Sequence, residues 1–207
     1  MLDHGYTESE LPPVKQVQNF LNYQRNTNST HHDVSSFEKQ LETHTVRDAR
    51  ENHTAFVFGS SELEDGSVKI GSGHENSHFN VSFTSRSLLA NVKKTQEMND
   101  SGKWKMTLAI DFTFKTNLLG HYFGVMGVID AMRHFFVGGL SLLSHKTTED
   151  YTTTISDFKE VCRTQGGFTL DPFYCMLDGE AAIRNALEQL FGNVSKILIC
   201  FFHIMKI

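Results

Sequence analysis

The most informative segment of the sequence is residues 104–114, Trp-Lys-Met-Thr-Leu-Ala-Ile-Asp-Phe-Thr-Phe. Their apolar centre runs directly into Asp111, and two further apolar runs follow at residues 122–130 and 134–143. Apolar runs of this length, separated by turn residues, predict three consecutive strands. A carboxylate in such a strand is costly to bury without a partner, so the charge of Asp111 must be held by something.

A helix, a strand, a second helix and a last strand are predicted after this meander. The sequence Thr147-Thr-Glu-Asp150 indicates a helix start, and Gly166-Gly167 indicates its end. Residues 173–177 form the fourth strand, residues 178–190 the second helix, and residues 196–202 the fifth strand. The order resembles the ribonuclease H-like arrangement. We therefore expect an α/β fold of the mixed α+β kind, with a five-stranded mixed sheet and flanking helices, incomplete at its C-terminus.

The first half of the chain is predicted to be an arm followed by a small extra region. The polar, His-rich first quarter contains one short predicted helix after Pro12-Pro13. Short β-like runs at residues 55–58 and 79–83 precede a helix that Ser85 would cap, predicted to end at Lys94. We expect three parts: an arm or linker over residues 1–54, a small β/α pre-domain over residues 55–103, and the main domain over residues 104–207.

The composition is that of a globular protein and not of a strongly basic nucleic-acid clamp. The net charge is -5 and the pI is about 6.1, whereas binding to phosphates relies on clustered Lys and Arg. Any contact with DNA must therefore use local patches. The candidate residues beside the predicted core strands are Lys115, Arg133, His134 and Lys146.

The three cysteines and the apolar C-terminal stretch indicate in which cellular compartment the protein works and whether it crosses a membrane. An odd number of cysteines without paired spacing indicates a reducing compartment and not a disulfide framework. The apolar stretch from residue 197 to 207 is much shorter than the roughly 20 residues of a membrane-spanning helix, so no membrane partner is expected. The stretch is predicted to be a buried strand that runs to the end of the chain, which suggests a truncated product.

Asp111 and Asp178 are the candidate catalytic pair. Each follows an apolar strand, and in this topology the two strands are parallel neighbours whose carboxyl ends lie together. Converging carboxylates repel each other unless divalent cations neutralise them, and hard oxygen ligands favour Mg²⁺ or Mn²⁺. The sequence thus predicts a two-metal site for phosphoryl transfer. The structural alternatives are a helix N-cap for Asp178 and a strand-end turn residue for Asp111.

Five segments of the second half resemble successive blocks of the Mutator-like element (MULE) transposase domain. They are Ile110-Asp-Phe-Thr-Phe-Lys-Thr-Asn117, Phe136-Val-Gly-Gly-Leu140, Ser144-His-Lys-Thr-Thr-Glu-Asp-Tyr151, Leu177-Asp-Gly-Glu-Ala-Ala-Ile183 and Cys200-Phe-Phe-His203. The resemblance covers about Trp104 to the last residue.

The resemblance implies roles for particular residues. Asp111 and Asp178 match the first two catalytic, metal-holding aspartates, and Cys200 and His203 match a Cys-x-x-His motif with a structural role. The family's third acidic residue, a glutamate, has no counterpart here. The residue after the first aspartate is often small in the family, but here it is Phe112. Zinc is not expected, since a structural zinc site needs four ligands.

The resemblance also implies a function. It predicts a DNA transposase that hydrolyses phosphodiesters at transposon ends and joins the freed 3'-hydroxyl to target DNA. The expected setting is the nucleus, and the expected partners are DNA and further copies of the chain in a homo-oligomer. Without the third acidic residue, the chain alone is expected to be weakly active or inactive. The family's N-terminal zinc-binding recognition module is unsupported, because residues 1–103 contain no cysteine.

Three other functions compete with this one. The first is a non-catalytic transposon-derived remnant or domesticated protein that binds DNA or protein, and the second is an unrelated ribonuclease H-like nuclease. The third is a zinc peptidase, because residues 74–78 spell His-Glu-Asn-Ser-His. That motif works only on a helix, and the surrounding glycines and the β-like run from Phe79 argue against one.

Overall fold

The computed structural model describes residue 15 and residues 34–45, 51–62, 68–100, 105–113, 120–192 and 196–200. The chain divides into two compact units, Met1–Phe37 and Glu38–Ile207. The fold below is that of the second unit, together with the helix Val34–Glu42 that begins in the first. The helix predicted after Pro12-Pro13 lies, apart from Lys15, outside the described residues.

Helices and strands alternate irregularly along the described chain. The helices are α1 (Val34–Glu42), α2 (Arg86–Asp100), α3 (Thr148–Thr164) and α4 (Ala181–Phe191). The strands are β1 (Phe56–Phe58), β2 (Ser61–Glu62), β3 (Val68–Lys69), β4 (Asn80–Thr84), β5 (Thr107–Thr113), β6 (Tyr122–Ile129), β7 (Phe135–Leu143), β8 (Tyr174–Leu177) and β9 (Lys196–Ile199).

A mixed sheet of seven strands, in the order β1-β4-β7-β6-β5-β8-β9, forms the framework. Strands β8 and β9 run parallel to β5, and every other pairing in this sheet is antiparallel. The predicted mixed α+β class is confirmed, but the prediction of five strands is wrong. The two short runs before the meander, now β1 and β4, extend the sheet beyond β7 instead of standing apart. Strands β2 and β3 form a separate two-stranded ribbon.

One face of strand β5 packs against the helices. Leu108, Ile110 and Phe112 alternate along β5 and are buried in a core with side chains of α2, α3 and α4, whereas Asp111 and Thr113 are exposed. Side chains along a strand alternate between the two faces of its sheet, so Asp111 lies on the face opposite this core. Strand β5 therefore presents its carboxylate without burying it among apolar groups.

Helix α3 begins and ends where its sequence predicts. Thr147 is the N-cap: its side chain accepts from the backbone N–H of Asp150, and the Asp150 carboxylate accepts from the backbone N–H of Thr147. This reciprocal pair satisfies two N–H groups that have no partner within the helix. The helix ends at Thr164, just before Gly166-Gly167. Helix α2 follows Ser85 as predicted but runs six residues beyond Lys94, to Asp100.

Candidate functional site

Asp111 and Asp178 lie at the same end of the sheet. Strands β5 and β8 are parallel, with Ala109 opposite Met176. Continued two residues beyond this last pair, the register would bring Asp111 of β5 level with Asp178, which directly follows β8. Neighbouring strands are about 5 Å apart, so the two residues lie at adjacent carboxyl ends.

The two aspartates also line one cavity. Its volume is about 430 Å³, and its wall includes Asp111, Asp178 and Cys200 together with apolar residues such as Val125 and Met176. Val125 is the residue paired with Asp111 across β5 and β6, and Met176 precedes Asp178 by two positions. The cavity therefore lies on the sheet face that carries both carboxylates.

Asp178 closes a turn and does not cap helix α4. The helix begins at Ala181, its N-cap residue is Glu180, and the Glu180 side chain makes no capping hydrogen bond. The Asp178 Oδ1 accepts the backbone N–H of Glu180 at 2.9 Å, across Gly179 with its positive φ of 98°. The predicted helix start at Asp178 is thus wrong by three residues, because the left-handed conformation of Gly179 cannot belong to a right-handed helix.

The Glu180 side chain connects this turn to the start of α3. Its Oε2 atom accepts a hydrogen bond from the Tyr151 hydroxyl at 3.1 Å and lies 2.8 Å from the Lys146 Nζ. Burial, and then the nearby Glu180 carboxylate, raises the pKa of Tyr151 well above its ordinary value. The hydroxyl therefore keeps its proton and donates to Glu180.

Tyr151 also packs on Phe112, the residue that follows Asp111 in β5. The two rings lie 4.9 Å apart between centroids, and Phe112 directly follows Asp111. Gly124 is paired with Phe112 across the sheet, and a Cβ at residue 124 would overlap the Phe112 ring. The bulky residue next to Asp111 is thus accommodated by a glycine on the neighbouring strand.

The cysteines fall into two environments. Cys162 and Cys175 are buried, and burial raises the pKa of the Cys162 thiol to about 12. Cys200 is partly exposed on the cavity, and its backbone N–H donates to the Leu177 carbonyl at 2.7 Å. His203 lies outside the described residues. Within the described segments, no three His, Cys, Asp or Glu side chains are grouped so as to hold a metal ion.

The two histidines of the peptidase-like motif, His74 and His78, do not lie on a helix. His74 and Ser77 form an isolated β-bridge, so the motif does not lie on a helix. The His78 Nδ1 is 2.8 Å from the Asp150 Oδ1, and its ring stacks on that of His145 at 3.8 Å. This arrangement supports the start of α3 and does not form the helical zinc site that a peptidase needs.

Two of the four candidate DNA-contacting residues contact carboxylates of this chain. Lys146 pairs with Glu180, and His134 pairs with Asp130 at 3.1 Å in the turn between β6 and β7. Arg133 occupies the same turn with a φ of 68°. Lys115 lies outside the described residues. The contact between Glu180 and Tyr151 could not be predicted from the sequence, because the two residues are 29 positions apart.

The comparisons with known proteins agree with the resemblance seen in the sequence. The model of the MULE transposase domain matches residues 107–207, which include both aspartates. No curated protein and no solved structure matches the chain. No helix in the described segments is both long and apolar enough to cross a membrane. Residues 107–207, just under half of the chain, are thus similar to the MULE transposase domain.

Proposed function

We propose that this domain is the catalytic core of a Mutator-like DNA transposase and that Asp111 and Asp178 are its metal-holding residues. The main support for this proposal is the position of the two aspartates. They lie near the carboxyl ends of the parallel strands β5 and β8, and both line the same cavity. The family match makes DNA the expected partner. The reaction would be hydrolysis of a phosphodiester at the transposon end, followed by attack of the freed 3'-hydroxyl on target DNA.

The arrangement of β5 to β9 supports a ribonuclease H-like core. Three antiparallel strands are followed by two strands parallel to β5, each reached through one helix, α3 or α4. This is the order expected for that fold, and β1 and β4 are additions at its far edge. Ligands of such open sheets bind outside the carboxyl ends of parallel strands, where Asp111 and Asp178 lie.

The side chains on the cavity fit hard divalent cations. Two carboxylates that line one cavity repel each other, and Mg²⁺ or Mn²⁺ would remove that repulsion while accepting the oxygen ligands that these ions prefer. When bound, such ions supply an activated water and stabilisation of the leaving oxygen. Asp111 and Asp178 would hold them, and the Glu180 N–H fixes one Asp178 oxygen. The Cys200 thiol is a soft ligand and adds no oxygen to the set.

The proposed function implies a cellular compartment and an oligomeric state, and one alternative function competes with it. A transposase acts on two DNA segments, its own ends and the target, so we expect it to work in the nucleus and to assemble as a homo-oligomer. The alternative is a transposon-derived protein that retains the fold and binds DNA or protein without catalysis. Metal binding at the two aspartates distinguishes the two functions.

The test is Mn²⁺ binding by calorimetry to the full chain. The unaltered protein should bind, and the double variant Asp111→Asn, Asp178→Asn should lose at least about tenfold in affinity, because it removes both charged ligands. Asp171→Asn is the matched control, since Asp171 is exposed and lies just before β8, at the opposite end of this strand. It should bind as the unaltered protein does.

Two results would count against the enzymatic function. Equal binding by the double variant would mean that the ion does not bind at these carboxylates. No binding by any variant would leave the family relationship as ancestry and favour the non-catalytic alternative. If binding is as expected, nicking of supercoiled DNA with Mn²⁺, and joining of cut ends, separate a transposase from a simple nuclease.

A further inference from the structure

The turn Asp178-Gly-Glu180 is contacted by two residues at the start of helix α3. Lys146 lies just before the helix, and Tyr151 lies within it. Glu180 is the N-cap residue of α4, yet its carboxylate does not cap that helix. The carboxylate instead contacts the Lys146 Nζ at 2.8 Å and the Tyr151 hydroxyl at 3.1 Å. A side chain with two charge-assisted partners on another element is fixed in position more firmly than one that faces water.

The backbone of Glu180 transmits this restraint to Asp178. Its N–H donates to the Asp178 Oδ1 at 2.9 Å, so the orientation of one carboxylate depends on where the Glu180 backbone lies. The positive φ of Gly179 allows the tight turn that makes this bond possible. Fixing Glu180 therefore fixes the Asp178 carboxylate.

Tyr151 and Lys146, the two residues that contact the Glu180 carboxylate, are themselves fixed by packing against aromatic rings. Tyr151 is fully buried and packs on Phe112, next to Asp111. Lys146 also lies over the Tyr122 ring, at 5.1 Å from its centroid. The same cluster thus touches the neighbours of both aspartates.

We propose that Glu180 is a positioning residue that orients the Asp178 carboxylate toward the cavity, anchored by Tyr151 and Lys146. This inference rests on the proposed function, since it concerns the same metal-holding aspartate. Outer partners of ligating carboxylates typically change metal affinity by about 10- to 100-fold when they are removed. Glu180 is such a partner through its backbone, and its side chain sets where that backbone lies.

The test compares Glu180→Ala with Glu180→Gln in the full chain, measuring Mn²⁺ affinity by calorimetry and Tm with and without Mn²⁺. The alanine variant loses both anchors and should bind Mn²⁺ about tenfold more weakly. The glutamine variant still accepts from Tyr151 and Lys146, so it should recover most of that loss. Glu188→Ala is the matched control, because Glu188 is exposed on the same helix, α4.

The outcomes separate this inference from the proposed function. A variant Glu180→Ala with lower Tm but unchanged Mn²⁺ affinity would show a purely structural role and overturn the inference alone. An equal loss of affinity in Glu188→Ala would also overturn it. Failure of the unaltered protein to bind Mn²⁺ would overturn the proposed function, and the inference with it.

Discussion

Asp157 is a buried carboxyl whose negative charge destabilises the folded protein. Its Oδ2 atom is buried without a hydrogen-bond partner among the described residues, close to the turn at Gly59. Burial raises the pKa of this carboxyl to about 6. A carboxyl whose pKa is raised by folding favours the folded state only while it is protonated, so its charged form destabilises the protein.

Asp157→Asn should therefore stabilise the protein in a pH-dependent way. The penalty of the charged form begins above the ordinary value of 3.8 and is complete above about 6. At pH 8 the variant should raise the free energy of unfolding by about 1 to 2 kcal/mol, after a reduction for partial solvent screening. Near pH 4 the gain should be small. Urea unfolding at both pH values measures it, and an equal gain at both would contradict the assignment to charge burial.

Among the elements, the start of helix α3 combines several contacts in one place. The Asp150 carboxylate accepts from the Thr147 backbone N–H at 2.9 Å and from its hydroxyl at 2.7 Å, and it also contacts His78. Burial tends to raise the pKa of Asp150, but the Thr147 hydrogen bonds and then His78 outweigh it, so the pKa is lowered. The charged carboxylate is thus the form that stabilises the folded state.

Asp150→Asn should cost about 1 to 2 kcal/mol of stability at neutral pH, because it weakens the capping box and the contact with His78. A lowered folded-state pKa contributes stability above the unfolded value of 3.8, and this contribution is lost as the pH falls through the folded value. The difference from the unaltered protein should therefore shrink in acid. Glu149→Gln, an exposed change in the same turn, is the control for urea unfolding. A cost that stayed constant with pH would argue against the role of the charge.

The same elements show what the sequence can and cannot predict. Apolar runs locate β5 to β9 and α3, since each pattern is local. The prediction that the last strand is buried is wrong, because Leu198 and Ile199 of β9, the last strand of the sheet order, are exposed. The start of α4 is not predicted, because Asp178-Gly-Glu180 resembles a capping sequence and the positive φ of Gly179 appears only in three dimensions. The two aspartates could be proposed from their strands alone. The anchoring of Glu180 by Tyr151 could not, because it joins residues far apart in the chain.

In the whole molecule, the sheet of the region matched to the family continues into the strands that precede it. Strand β4 pairs with β7 over four residues and covers what would otherwise be its open edge. The buried Ser82 and Ser141 hydroxyls lie 2.7 Å apart across this pairing, and the Thr84 hydroxyl donates to the Gly138 carbonyl at 2.6 Å. The sequence could not predict this pairing, because short apolar runs do not specify which edge of a sheet they join.

The region matched to the family is therefore not expected to fold alone. A fragment of residues 104–207 loses β1, β4 and α2, whose core members include Phe56, Phe58, Leu89 and Val92. Burying each of these is worth about 1.5 to 3 kcal/mol, so the loss is comparable with the whole stability of a typical domain. Residues 34–207 should unfold cooperatively in urea, whereas residues 104–207 should show no cooperative transition and no near-ultraviolet circular dichroism. A cooperative transition of similar midpoint in the shorter fragment would mean that β1 and β4 are dispensable additions to an independent core.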